Sequence, residues 1–274
     1  MAPSSQHCRE KGETTMEIVV CVKQVPDTET RIKIDPAGKG IVREGIEYVV
    51  NPYDEFAIEE ALVLKEKHGG KVTVITAGPD RAVDALRTAL AMGADEAIHI
   101  QASQEDAVDS IGAAEVMARA LKEIPFDIIL CGKQAVDDDN AAFAPALAEF
   151  LGLPHVTVVT GLEVDPEAGE AQVVREIEGA QEHITTSLPA VIAAQKGLNE
   201  PRYPALRGIM QAKRKKIPVS TLADLGLEGE TLPARTEVLS MMPPPPREGG
   251  EKYEGEPEET VARLIKALQA EKLV

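Results

Sequence analysis

Short apolar runs rich in β-branched residues alternate along the chain with longer segments in which apolar positions recur every three or four residues. The runs that predict strands are residues 18–22, 72–76, 97–100, 127–131, 155–160 and 190–194. The segments between them have the period of amphipathic helices. Because this order is typical of successive βα units, the sequence predicts a Rossmann-like α/β fold, with an open, mainly parallel sheet and helices on both faces.

Capping signals give the limits of the predicted helices. Asn51 and Pro52 predict a helix start, because Asn is a good N-cap and Pro is tolerated at the first helical position. Asp80 predicts the cap of a second helix. The predicted helices span residues 52–68, 81–93, 107–123 and 140–152.

Two antiparallel hairpins are predicted beside the βα units. Residues 31–35 and 46–50 alternate polar and apolar positions and are joined through Gly38 and Gly40. Residues 172–177 and 182–186 alternate in the same way around Gly179. We expect the second hairpin to extend the main sheet.

The two ends of the chain differ from its middle. Residues 1–15 are polar and have no apolar run, so we expect a disordered leader rather than a secretory signal. After the α/β domain, over 16–235, we expect an arm over 236–274 in which a Pro-, Gly- and Glu-rich tract precedes a helix. Four apolar residues share one face of that helix: Val261, Leu264, Ile265 and Leu268. This face either folds back on its own domain or docks on another subunit.

Composition narrows the function. The 274 residues contain 46 acidic and 29 basic side chains, a net charge of −17, which argues against a nucleic-acid partner. The chain contains no apolar run long enough for a membrane span. Its three cysteines share no spacing motif, so we expect a cytoplasmic protein without disulfides. With few aromatic residues and no Trp, the core should be Val, Ile, Leu and Ala.

Catalytic motifs are absent from the sequence. It has no Gly-x-Ser-x-Gly, Cys-x-x-Cys or His-Glu-x-x-His, and neither of the Gly-rich phosphate motifs of ATPases and dinucleotide dehydrogenases. The five histidines have no metal-ligand spacing, and His99 lies within an apolar run as a core residue would. We therefore expect no metal site and a binding module rather than a self-sufficient enzyme.

Three predicted strands end in small or polar residues. In an open parallel sheet, ligands bind at the carboxyl ends of strands, where the strand order reverses. The segments there are 21–24 (Cys-Val-Lys-Gln), 76–79 (Thr-Ala-Gly-Pro) and 132–135 (Gly-Lys-Gln-Ala). One interpretation is a nucleotide whose phosphate lies at the helix start after Asp137-Asp138-Asp139. The other is that these acids are only a charge cluster at a helix N-terminus.

Several of these segments together resemble the β subunit of electron transfer flavoprotein. The resemblance extends in order from Met16 to about Lys272. The matching segments are 22–27 (Val-Lys-Gln-Val-Pro-Asp), 51–54 (Asn-Pro-Tyr-Asp), 89–95 (Ala-Leu-Ala-Met-Gly-Ala-Asp), 132–139 (Gly-Lys-Gln-Ala-Val-Asp-Asp-Asp), 175–179 (Arg-Glu-Ile-Glu-Gly), 188–191 (Leu-Pro-Ala-Val) and 198–203 (Leu-Asn-Glu-Pro-Arg-Tyr).

The resemblance implies a carrier subunit without catalytic residues of its own. It implies a heterodimer with an α subunit that shares an FAD, an acyl-CoA or other dehydrogenase as electron donor, and a membrane quinone oxidoreductase as acceptor. It also implies a structural AMP in this subunit. The residues carried over for the nucleotide are Cys21, Asn51, Pro52, Tyr53, Asp54, Ala77, Gly132, Lys133, Gln134, Ala135, Val136, Asp137, Asp138, Asp139, Asn140, Ala141, Ala142 and Phe143.

The resemblance also implies a docking loop for the dehydrogenase over 204–213. Leu206 matches the leucine that inserts into the dehydrogenase. The loop residues carried over are Pro204, Ala205, Leu206, Arg207, Ile209, Met210 and Lys213. The basic run over 213–216 is either a solvated helix end or a group that steers an acidic partner.

Two departures from the family pattern leave alternatives open. AMP-binding members usually continue Asn-Gln-Thr after the acidic triplet, whereas this chain continues with Asn140-Ala141-Ala142-Phe143. Residues 25–28 (Val-Pro-Asp-Thr) resemble the electron-bifurcating branch, whose β subunit binds a second FAD. We expect AMP, with FAD as the alternative. Two alternative hypotheses assign other functions to the chain. One is a stand-alone adenine-nucleotide sensor, and the other is an ATP-using ligase or pyrophosphatase.

Overall fold

The computed structural model describes residues 15–103, 109–228, 234–246 and 249–274. The chain divides into two compact units, Met1–Met241 and Met242–Val274. The leader expected over 1–15 lies outside the described residues except for Thr15. No helix within the described ranges is both long and apolar enough to cross a membrane.

The first unit contains eleven described strands and five described α-helices. The strands are β1 (Met16–Cys21), β2 (Gln24–Pro26), β3 (Tyr48–Val50), β4 (Gly70–Gly78), β5 (Glu96–Gln101), β6 (Ile128–Gly132), β7 (His155–Asp165), β8 (Glu170–Ile177), β9 (Ala180–Ser187), β10 (Ala190–Ala194) and β11 (Val219–Thr221). The helices are α1 (Pro52–His68), α2 (Val83–Met92), α3 (Ser110–Leu121), α4 (Phe143–Leu151) and α5 (Leu206–Arg214).

Nine strands form one sheet in the order β11-β5-β4-β1-β6-β10-β7-β8-β9. The pairs from β11 to β7 are parallel, whereas β7, β8 and β9 pair antiparallel. From β1 the chain passes to β4 and β5 on one side and then returns to β6 on the other. The strand order therefore reverses beside β1, and the predicted fold class is confirmed.

Helices cover both faces of the sheet, and alternate residues of each strand enter different cores. Ile18 and Val20 of β1 belong to the cluster that packs under α1 and α2. Val19 and Cys21 belong to the cluster under α3 and α4. The largest fully buried side chains are Ile, Leu and Met, as expected from the shortage of aromatic residues. The period of two along β1 is thus what places a helix layer on each face.

The first predicted hairpin is wrong in its limits. The antiparallel pair is β2 with β3, in which the buried Val25 lies opposite Val49. Within residues 31–35 the structure has a single bridge, between Ile34 and Ile41. Arg31, Ile32 and Lys33 are all solvent-exposed, so this stretch has no buried face that would hold it in a strand. The second predicted hairpin is confirmed as β8 and β9.

Helix starts differ from prediction at two places. Asp80 begins a short 3₁₀ turn, Asp80–Ala82, and α2 starts only at Val83. The fourth helix was expected directly after the acidic triplet, but α4 starts at Phe143. In contrast, Asn51 and Pro52 do begin α1 as predicted. The third helix is α3, and the predicted positions 107 and 108 lie outside the described residues.

The segment expected to be a docking loop forms the helix α5 from Leu206 onward. A helix can form here because α5 packs on α2. Gly208 lies against the carbonyl oxygen of Ala91, where a Cβ would collide with it. Arg87 of α2 donates to the carbonyl oxygens of Ala212 and Lys215 at the C-terminal end of α5, where the Ala212 oxygen also accepts the backbone N–H of Lys215.

The second unit contains the helix α6 (Pro257–Ala270). The described residues before it, 242–246 and 249–256, are outside helices and strands. Val261, Leu264 and Ile265 are exposed on α6, and Leu268 is half-buried. Residues 234–241 belong to the first unit, in which Arg235 and Thr236 bind the carboxylate of Asp109.

Candidate functional site

A cleft opens at the carboxyl ends of β1, β4 and β6, beside the reversal of strand order. The space between its walls, counted out to its open mouth, is about 690 Å³. The predicted nucleotide residues that line it are Cys21, Asn51, Asp54, Ala77, Gly132, Gln134, Ala135, Asp138, Asn140, Ala141, Ala142 and Phe143.

The other six predicted residues do not line the cleft but are sequence neighbours of residues that do. Pro52 begins α1. The ammonium group of Lys133 lies 5.0 Å from the ring centroid of Tyr53. The backbone N–H of Val136 donates to Asn51 Oδ1 at 3.2 Å. The last two, Asp137 and Asp139, hold the acidic loop through side-chain contacts described below.

Six lining residues were not among those predicted for the nucleotide. Two of them, Val22 and Lys23, follow β1, one, Cys131, lies in β6, and three come from α3: Ser110, Ala113 and Met117. In a parallel sheet, a helix that follows a strand begins at the same edge at which the strands end. The position of α3 after β5 was therefore the signal that could have placed its first turns at the cleft.

A network of buried polar groups joins the elements around the cleft. The carboxylate of Asp54 accepts the backbone N–H of Lys23 at 2.7 Å and that of Gly132 at 2.9 Å. Asn51 Nδ2 donates to Asp54 Oδ1 at 3.0 Å and to the carbonyl oxygen of Gln134 at 2.9 Å. The ends of β1 and β6 are thus fixed to the first turn of α1.

Gly132 is required at its position by this close packing. A Cβ there would collide with Asp54 Oδ1 and would lie 2.7 Å from Tyr53 Cβ. Any larger residue would push β6 away from α1 and open the network. The glycine at the strand end therefore serves the approach of α1 as well as the cleft.

Burial controls protonation in the cleft floor. It raises the pKa of Asp54 to about 7, against the effect of the N–H donors and of Lys23, which favour the carboxylate. Burial also raises the pKa of both thiols, Cys21 and Cys131, far above their ordinary value, and the charge of Asp54 raises them further. The two thiols are therefore neutral at physiological pH and are not activated nucleophiles.

Donors of the same chain bind all three carboxylates of the acidic loop before α4. Lys23 Nζ lies 2.7 Å from Asp137 Oδ1 and 3.2 Å from Asp138 Oδ2. Gln134 Nε2 donates to Asp139 Oδ1 at 2.7 Å. Ser110 Oγ donates to Asp138 Oδ2 at 3.3 Å and thereby joins α3 to the loop. Each carboxylate of the triplet thus has a positive or hydrogen-bonding partner, and Asp138 also lines the cleft.

The start of α4, where Phe143 lines the cleft, has unpaired backbone donors. In the part of the chain that the structure describes, the N–H groups of Phe143 and Ala144 have no hydrogen-bond acceptor. Unpaired N–H groups at a helix start carry partial positive charge and suit an anion. Asp139 and Ala141 just before them have φ of 50° and 53°, a conformation that non-glycine residues adopt rarely and often beside ligands.

The predicted docking residues lie together on and beside α5. Leu206 is 76% exposed and Met210 is 55% exposed. Ala205, Arg207, Ile209 and Lys213 are also exposed, whereas Pro204 is half-buried. Exposed large apolar side chains clustered on one short helix are typical of a protein-interaction surface.

Comparison with known proteins agrees with the resemblance in the sequence. The family model described as electron transfer flavoprotein domain matches residues 39–225. The chain is 43% identical over 257 residues to the electron transfer flavoprotein subunit beta of Bacillus subtilis, covering 93% of this chain and 98% of that protein. For the protein of the same name from Syntrophomonas wolfei the identity is 44% over 255 residues, covering 93% and 96%. For the one from Homo sapiens it is 39% over 252 residues, covering 91% and 96%. The chain therefore belongs to the electron transfer flavoprotein family, among its β subunits, and the function of its family is electron transfer.

Proposed function

We propose that the chain is the β subunit of a heterodimeric electron transfer flavoprotein of the cytoplasm. It passes electrons from acyl-CoA or other dehydrogenases to a membrane quinone oxidoreductase. The redox FAD is shared with the α subunit. The β subunit binds AMP as a structural ligand and presents the surface on which the dehydrogenase docks.

The cleft at the strand ends is the observation that carries the nucleotide proposal. Its lining includes small and apolar side chains, and Cys21, Ala77 and Met117 are available to contact a flat base. The unpaired N–H groups at the start of α4 are available for a phosphate. A nucleoside monophosphate matches both features, since it needs an apolar slot and one anion site.

The chemistry of the cleft favours a ligand that is bound and left unchanged. The thiols are neutral, and the carboxylate of Asp54 is fully engaged by Asn51 and by backbone N–H groups. A ligand that binds only the folded chain stabilises it by linkage. Removal of the nucleotide should therefore lower the melting temperature and leave flavin reduction by a donor intact.

The test begins with the nucleotides released when the purified heterodimer is denatured. One FAD and one AMP per heterodimer is the expected result. Two FAD and no AMP would contradict the AMP proposal and favour the bifurcating alternative. If the heterodimer forms a product when incubated with ATP and magnesium, the ligase or pyrophosphatase hypothesis is favoured.

A matched pair of variants at Ala142 tests where the phosphate binds. Ala142→Asp places a negative charge at the start of α4, where it favours the helix but repels a phosphate. Ala142→Asn has nearly the same shape without the charge. We expect the Asp variant to bind AMP at least about tenfold more weakly than the Asn variant, which corresponds to about 1.4 kcal/mol of binding free energy. The two variants should bind adenosine, which has no phosphate, with the same affinity. Equal AMP affinity in the two variants would contradict this placement.

The apolar face of α6 supports the heterodimer. Val261, Leu264 and Ile265 are exposed on the second unit, and burial of such side chains on a partner contributes about 1.5 kcal/mol each. Truncation after Met242 should therefore weaken association with the α subunit. Leu264→Ser should weaken it in the full-length chain, whereas Lys266→Ser, two residues further along the same helix, should not. Unchanged association after truncation would show that the α subunit binds elsewhere.

A further inference from the structure

Two buried acidic side chains of α1 hold the segment that leads into α5. Glu59 accepts the backbone N–H of Arg202 at 3.0 Å, and also its guanidinium Nε at 2.9 Å and Nη2 at 2.8 Å. Glu60 accepts Asn199 Nδ2 at 2.9 Å, and the same amide donates to the carbonyl oxygen of Phe56 at 3.0 Å. Both glutamates are buried. The chain is therefore attached to α1 at two points just before α5 begins.

Stability alone does not account for these acids. Burial of an ionised side chain is costly, and a buried ion pair is often no more stabilising than apolar side chains of similar volume. Burial raises the pKa of Glu60, which shows that its charged form is disfavoured there. What the acids supply, and apolar residues would not, is a fixed position and orientation for residues 199–202.

The attached segment is followed at once by the most exposed apolar side chains of the region. Tyr203 is 96% exposed and Leu206 is 76% exposed. At the far end of α5, Arg87 donates to the carbonyl oxygens of Ala212 and Lys215. The exposed surface is thus held at both ends by side chains of α1 and α2.

We infer that Glu59 and Arg202, the Glu59–Arg202 clamp, are positioning residues for donor docking. The clamp fixes the start of α5 so that Leu206 is presented in its bound position before the donor arrives, which removes an ordering cost from binding. This inference rests on the proposed docking of a dehydrogenase at α5. It assigns a role in docking to two residues, Glu59 and Arg202, that do not themselves contact the donor.

The clamp depends on the shape of arginine. Nε and Nη2 form a fork on the carboxylate of Glu59, while Nη1 reaches Glu66 Oε1 at 2.6 Å. Lysine carries the same charge but has no planar fork, so it cannot reproduce the paired contact. Arg202→Lys therefore changes the geometry of the clamp and keeps its charge.

The experiment uses the FAD-containing heterodimer and an acyl-CoA dehydrogenase reduced by its substrate. For Arg202→Lys we expect the donor concentration at half-maximal rate to rise at least fivefold. The limiting rate at saturating donor and the reduction by dithionite should change less than twofold. Glu66→Gln is the matched control, because Glu66 binds the same arginine at an exposed position where an ion pair contributes little. It should leave the half-saturating concentration within twofold of the parent value.

A double-mutant cycle with Leu206→Ala separates positioning from general damage. If the clamp acts through Leu206, Arg202→Lys should cause less than a twofold further change once Leu206 is removed. An equal effect in both backgrounds would overturn the inference. So would an unchanged half-saturating concentration for Arg202→Lys when Leu206→Ala raises it. If Leu206→Ala itself has no effect, it is the docking proposal that fails.

A second variant covers the case in which Arg202→Lys does not yield folded heterodimer. Arg87→Lys loosens the opposite end of α5, where both acceptors are backbone carbonyl oxygens. It should likewise raise the half-saturating donor concentration in the parent and not in the Leu206→Ala background. Parent-like kinetics for a folded Arg87→Lys heterodimer would overturn the view that attachment of α5 sets donor affinity.

Discussion

Helix α1 supplies buried acids to two regions of the molecule, and the two regions use them differently. Asp54 at its first turn lines the cleft, and its donors among the described residues are neutral: the side-chain amide of Asn51 and the N–H groups of Lys23 and Gly132. Glu59, in the middle of the helix, is bound by the guanidinium of Arg202. One acid holds together the walls of the cleft, and the other holds the segment before an exposed surface.

The two regions differ in whether their contacts are made within the folded chain or are left for a second protein. The cleft is built from strand ends and small side chains in the interior, so its order comes with folding itself. The surface around α5 instead exposes Leu206 and Met210 and is held in place by polar contacts behind it. We therefore expect changes in the cleft to affect stability and ligand content, and changes at α5 to affect binding of a second protein.

The largest expected effect concerns Asp54 and pH. Because its folded-state pKa of about 7 lies above its unfolded value, the folded chain retains a proton that the unfolded chain has lost between about pH 4 and pH 7. A rise of pH through this window therefore lowers stability, by up to roughly 4 kcal/mol. Asp54→Asn removes this contribution.

The measurement is the melting temperature of parent and variant across pH 4 to pH 8. The parent should lose stability relative to Asp54→Asn as the pH rises, and the difference should level off above pH 7. Asp84→Asn, an exposed acid on α2, should follow the parent curve. Parallel curves for the parent and Asp54→Asn would show that Asp54 is ionised in the folded chain throughout the range.

The next largest effect is expected at the docking surface. Leu206→Ala should cost roughly 2 kcal/mol in donor affinity if Leu206 fills a pocket on the dehydrogenase. The loss should appear mainly as faster dissociation, since changes within an interface act chiefly on that rate. Leu239→Ala is a matched control, because Leu239 is also 76% exposed but lies outside α5.

Stopped-flow reduction of the heterodimer at subsaturating donor measures this effect. The rate should fall for Leu206→Ala and stay near the parent value for Leu239→Ala. Neither variant should lose flavin or melt earlier, because neither side chain is buried. If Leu206→Ala is reduced at the parent rate, Leu206 does not contribute to docking of the donor.

Much of the fold followed from the sequence because the signals were local. β-branched runs predicted the parallel strands, and Asn51-Pro52 predicted the start of α1. The helix α5 was missed because its stability comes from α2, through Gly208 and Arg87, and not from its own sequence. The loop over 204–213 was expected from the resemblance to the family and not from the local pattern.

The sequence predicted the part of the cleft that is formed by the ends of strands. Cys21, Ala77 and Gly132 line it because parallel strands end at one edge of the sheet. Ala113 and Met117 have the spacing of ordinary core positions in a helix, and nothing local distinguishes them from such positions. Their place at the cleft depends on how α3 packs beside the acidic loop, which the sequence pattern does not specify.

The smallest expected effect concerns charge near α5. Lys213 and Lys215 are exposed at the C-terminal end of this helix, in a chain whose net charge is −17. Such a local basic group steers an acidic partner over long range and adds little to the final contact, so Lys213→Gln with Lys215→Gln should mainly slow association. We expect a few-fold slower association at low salt, and rates that approach the parent value as ionic strength rises.

A double variant at two exposed lysines elsewhere, Lys67→Gln with Lys122→Gln, makes the same change in net charge and should slow association less. Stopped-flow reduction at two ionic strengths distinguishes local steering from net charge, and equal slowing by both pairs would leave only net charge as the cause.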